Sequence, residues 1–136
     1  MPLRGTTSDA TNNQLNVGGL TVVGIDANAV FAMPVNTAVA ATGSVLADAA
    51  QVYAGFTVVS AADGTKGIKL PATPLPGTVV IIKGTAAAAL KVWPDAAATI
   101  NAIAANGALV LAIGTIPATF IASSSTQWHS LPLLPS

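Results

Sequence analysis

A chain of 136 residues is one domain's worth of protein, long enough to bury roughly 70% of its unfolded surface without staples. Charged residues make up 7% of it, against about 25% in ordinary soluble domains, and five basic residues balance five aspartates to zero net charge. Such a balance excludes a basic nucleic-acid stripe, the lack of cysteine excludes disulfides and thiolate metal sites, and the sparse charge points to a surface covered by neighbours.

Residues 1–19 are rich in Thr, Asn, Gly and Ser and end in Val17-Gly18-Gly19. Little there can be buried, so they read as an extended or flexible N-terminal arm, followed by one domain over 20–136. The arm's N-terminus lacks the apolar core of a secretory signal, so synthesis in a cytoplasm is expected. Leu20-Thr21-Val22-Val23-Gly24-Ile25 is strand-like in its β-branched residues, and a turn at Asp26-Ala27-Asn28 leads into Ala29–Met33. In Thr37–Tyr53, Val39, Leu46, Ala50 and Tyr53 have the spacing of one helical face. Gly43 interrupts that face and strong helix formers other than Ala are scarce, so strand and loop is the preferred reading.

Gly55–Ser60 is the next strand, closed by the turn Ala61-Ala62-Asp63-Gly64. Gly67–Leu70 alternates, and the three prolines between Pro71 and Gly77 make a loop. Thr78–Lys83 is the most strand-like run, and Leu90–Trp93 places Leu90 and Val92 on one face with Lys91 and Trp93 on the other. Short strands are expected at Thr99–Ile103, Ala108–Ile113, Ala118–Ala122 and Gln127–Leu131. Asn106-Gly107, Gly114 and Ser123-Ser124-Ser125 separate them. The stretch Ala96–Ala122 is apolar enough for a membrane span. Its Asn101, Asn106, Gly107, Gly114 and Pro117, with no basic flank, favour strands and turns, and no membrane partner is expected. Thr-Val-Val occurs at Thr21, Thr57 and Thr78, but the unequal spacing of 36 and 21 argues shared strand composition and no repeat. Close-set strands with Gly, Pro and Asn between them signal an all-β sandwich or barrel.

Catalytic constellations are missing. His129 is the only histidine; Ser123, Ser124, Ser125 and Ser130 lie near it in sequence, but no Gly-x-Ser-x-Gly elbow exists. The aspartates sit mainly beside Gly, Ala or Asn, where turn formation accounts for them, and Asp63 and Asp95 lack the neighbouring acids of a calcium loop. Gly18-Gly19 matches no phosphate-cradling pattern. No catalytic residue, metal or cofactor is therefore expected, and the chain reads as a non-enzyme. Trp93, Phe120 and Trp128 read as anchors of a core or a subunit interface. The competing use of Trp93 and Trp128 is a glycan-binding platform.

Half the chain carries a further pattern: Gly67-Ile68-Lys69-Leu70-Pro71, Gly77 through Lys83, and Ala88-Ala89-Leu90-Lys91-Val92-Trp93-Pro94. It continues with Ala98-Thr99-Ile100-Asn101, Ala104-Ala105-Asn106-Gly107-Ala108, Phe120-Ile121-Ala122 and Thr126-Gln127-Trp128. In that succession the segment Gly64–Leu131 resembles a module of tailed-bacteriophage virion proteins, the capsid cement or decoration proteins and head-fibre-like proteins. Gly84 stands where that family often has Asn, Trp93 where it often has Tyr, and the Leu133-Leu134-Pro135 tail lies outside the pattern. The resemblance implies a jelly-roll-like β-sandwich seated on the outside of a capsid and reinforcing it, with the major capsid protein as partner. It supplies no catalytic residues. A homodimer or a homotrimer is expected, and the arm is expected to reach a partner through Leu15 and Val17. A virion fibre or a receptor- or glycan-binding module is the alternative.

Overall fold

The computed structural model describes residues 6–9, 14–17, 20–25, 31–112 and 114–131, with side chains described from residue 33 onward. The chain divides into two compact units, Met1–Pro34 and Val35–Ser136. In the first, β1 (Thr6–Asp9), β2 (Gln14–Val17), β3 (Leu20–Ile25) and β4 (Phe31–Ala32) form an antiparallel sheet in chain order. A register shift between Leu15 and Asn16 marks a bulge against β3. The boundary expected at residue 19 therefore falls inside a sheet: residues 6–9 and 14–17, read as an arm, are strands paired in register up to 20–25.

Among its described residues the second unit is all-β apart from one 3-10 turn at Leu46–Asp48. Its strands are β5 (Val35–Ala40), β6 (Ala50–Gln51), β7 (Gly55–Ser60), β8 (Gly67–Lys69), β9 (Val79–Gly84) and β10 (Leu90–Trp93). The last four are β11 (Thr99–Ile100), β12 (Leu109–Leu111), β13 (Ala118–Ala122) and β14 (Gln127–Leu131). The helical spacing over 37–53 gives way to β5, the 3-10 turn and β6. Gly43 has φ +62°, and a Cβ there would meet the backbone of Asp48, so the chain turns sharply where a helix would have continued.

Two sheets are built by alternation. Odd-numbered β5, β7 and β9 lie parallel in one sheet, and β6, β8 and β10 lie parallel in the other. Each strand's crossover thus runs through the opposite sheet, so three successive strand pairs wind as three coils. The winding corrects the jelly-roll expectation, because a jelly roll is made of antiparallel strands in Greek-key order while these are parallel neighbours one coil apart. It is the path of a two-sheeted β-solenoid. The coils are unequal: Val35 faces Phe56, and Phe56 faces Ile81, 21 and 25 residues on; Ala50 faces Ile68, and Ile68 faces Val92, 18 and 24 residues on. A structural repeat exists without a fixed period, and Thr57 lies opposite Ile82, out of step with the Thr78 motif.

After the third coil the direction reverses. β13 runs antiparallel along β9 and β14 along β13, while β12 runs antiparallel along β10 and β11 joins β14 in parallel. The side chains alternate as pleated strands require. Thr57 and Val59 of β7, Val80 and Ile82 of β9, and Phe120 of β13 face inward from one sheet. Ile68, Leu90, Val92, Leu109 and Leu111 meet them from the other, and Val52, Leu70, Ile100 and Trp128 complete the cluster. Burying a side chain of this size contributes about 1.5–3 kcal/mol. Near one end of the core the backbones close up: Gly84 donates its N–H to Gly114 O, and Gly114 donates to Ala88 O at 3.0 Å. A Cβ on either glycine would strike those carbonyls.

Candidate contact surface

Of the three aromatic anchors expected, Phe120 and Trp128 are wholly buried in the core between the sheets. Trp93 follows the expected strand parity, on the face of β10 opposite Leu90 and Val92, yet it is only 6% exposed. Its ring lies over Gly67 of the neighbouring β8, where a Cβ would collide with the ring and with Lys91 O. Lys91 Nζ sits 5.8 Å from the ring centroid, within range of a cation–π attraction. Neither tryptophan presents an open face for a sugar. Leu15 and Val17 lie in β2, with Leu15 in register with Ser8 and Val23; their side chains lie outside the described residues.

The polar groups mainly hold turns and strand ends. Asp63 Oδ1 accepts the Thr65 hydroxyl at 2.7 Å and the N–H groups of Thr65 and Lys66, while Oδ2 meets Lys66 Nζ at 3.2 Å. The Thr65 hydroxyl first, then those amides and Lys66, hold its carboxyl well below the usual carboxylate range. Gln127 accepts from Thr99 Oγ1 at 2.6 Å and donates to Asn101 O and Trp128 O. Asn101 exchanges hydrogen bonds with Ser130. These side chains tie β11 to β14.

His129 is exposed on β14, with Nε2 2.9 Å from Ser123 Oγ across the β13–β14 hairpin. Among the described residues no group of three or more His, Asp or Glu could hold a metal ion. None of the described helices is long and apolar enough to cross a membrane.

What the surface does offer is apolar contact. Val45, Tyr53, Leu75, Val110, Ile116 and Leu131 are exposed, Leu75 to 78% and Tyr53 to 68%. Single exposed apolar residues are ordinary. Here the chain carries few charges, and from Ala96 to Leu131 there is no Asp, Glu, Lys or Arg at all, although Val110 stands opposite Lys91 of β10. Val110, Ile116 and Leu131 all fall in that charge-free segment. Reading the sequence missed these residues. Strand parity marks Val110, which stands between the two inward leucines of β12, and Leu75 sits between Pro74 and Pro76 on the loop after β8.

Comparison with protein-family models, with curated proteins and with solved structures finds no match for this chain.

Proposed function

We propose that the chain is a non-enzymatic structural subunit of a virus particle, binding the outside of a phage capsid and reinforcing it as a cement or decoration protein. The observation that carries the reading is the pairing of exposed apolar side chains with a low content of charged residues, which suits a subunit whose faces are covered on assembly. The resemblance over Gly64–Leu131 directs that contact to a capsid. Such a subunit stabilises a shell by binding the assembled state and not its parts, so its effect grows with occupancy and needs no chemistry. The direct test adds the full recombinant chain to purified shells assembled without it. Saturable co-sedimentation at a fixed ratio to the major capsid protein, with greater heat resistance, is the expected result; no binding at micromolar concentration would count against the proposal.

The fibre or glycan-binding alternative rested on Trp93 and Trp128 as a platform. Both are buried, and Tyr53 is the aromatic that stands exposed among the described residues. Saturable binding on a glycan array, lost in Tyr53→Ala, would favour that alternative.

A further inference from the structure

We infer that the outer edge of β5 is a latent self-association surface for a second copy of this chain, and that Asn36 holds it closed. The inference is independent of what the protein binds in a particle. In the two-sheeted unit the strands that end each sheet are β5 and β11 in one and β6 and β12 in the other. Three of them are blunt, at two residues for β6, two for β11 and three for β12. β5 has six residues, pairs among the described residues only with β7, and carries no charge and no proline within it. A strand of that length and composition is a template for pairing with another chain. A second copy laid antiparallel along it brings uncharged residues opposite uncharged residues throughout, so like charges never oppose the match.

The edge nevertheless carries a guard. Asn36 is in register with Thr57 and Val39 with Val59, so Thr37 and Ala38 together stand opposite Val58. That is a β-bulge, which bends the strand and breaks the row of outward donors and acceptors. The side chain of Asn36 fixes the bulge: its Oδ1 accepts the N–H of Ala38 at 3.2 Å. An incoming strand would find two matched residues on either side of the bulge and an occupied donor in the middle. Without the amide, Ala38 N–H is free, and a β-branched residue in its place favours the straight strand.

Full-length wild type, Asn36→Val, Asn36→Ser and a deletion of Ala38 test the inference by light scattering against concentration and by amide exchange. Asn36→Val should at least double the mass of wild type at equal concentration and slow exchange across residues 35–40. Deleting Ala38 removes the bulge by another route and should do the same. Asn36→Ser, whose hydroxyl still accepts from Ala38, should keep the wild-type mass, and Val35→Lys added to Asn36→Val should restore it. Wild-type mass in both Asn36→Val and the deletion overturns the inference, as does larger mass without protection of 35–40, or equal association of Asn36→Ser. Blue-shifted emission from buried Trp128 verifies folding, and loss of it in both bulge variants also overturns the inference, since the bulge would then be needed to fold and not to guard.

Discussion

Trp128 is wholly buried, yet its indole Nε1 has no hydrogen-bond partner among the described residues. Its contribution is therefore hydrophobic area alone, reduced by the cost of a desolvated donor. Trp128→Ala should lower unfolding free energy by about 3–5 kcal/mol, while Trp128→Phe should stay within about 1 kcal/mol of wild type in urea titrations. Gly67 is the opposite kind of position, required for what it lacks. Gly67→Ala would push Trp93 off the strand and crowd Lys91 O, costing about 1–3 kcal/mol, with a red shift of tryptophan emission as Trp93 gains water. Asp63 couples a turn to pH. Because its folded carboxyl titrates below its unfolded value, the stabilisation is complete above about pH 4 and lost as pH falls through the depressed folded value. Wild type should show a downward slope of stability below about pH 4 that Asp63→Asn lacks, and an equal slope in both would exclude Asp63 as its source.

Strands were legible in the sequence wherever β-branched or alternating residues carried them. Gly55–Ser60, Leu90–Trp93, Ala118–Ala122 and Gln127–Leu131 appear with the expected bounds, and Pro71–Gly77 is a loop. Thr99–Ile103 shortened to Thr99–Ile100 because Asn101 takes φ +53° and turns the chain. The pairing was not legible. Alternation of Val80 and Ile82 with their neighbours reads the same beside a parallel or an antiparallel partner, so it does not separate a jelly roll from a coil. Coils 18 to 25 residues long hide the repeat that a fixed period would have shown. Strand parity can be tested on β12, where Leu109 and Leu111 face inward and Val110 outward. Val110→Lys should change stability by less than about 0.5 kcal/mol, whereas Leu111→Lys, burying an unpaired charge, should cost more than about 3 kcal/mol in the same assay.

At the scale of the whole molecule the decisive property is surface chemistry. Composition already carried half of it, since ten charges in 136 residues cannot cover an ordinary solvated surface. The other half, which apolar residues remain outside, was hidden because exposure is set by pairing partners that the sequence does not name. Tyr53 has the spacing of a helical face in the sequence and is exposed between β6 and β7, whereas Trp93 and Trp128, read as anchors of a core or an interface, are packed. A capsid-bound subunit of the proposed kind acts by where it sits, so position is the most direct test. Density maps of the purified virus particle should show a two-sheeted β unit, traceable from Val35 to Leu131, repeated on the outer surface of the capsid and in contact with the major capsid protein. Finding the chain only at a tail or fibre tip, or nowhere in the particle, would contradict the account.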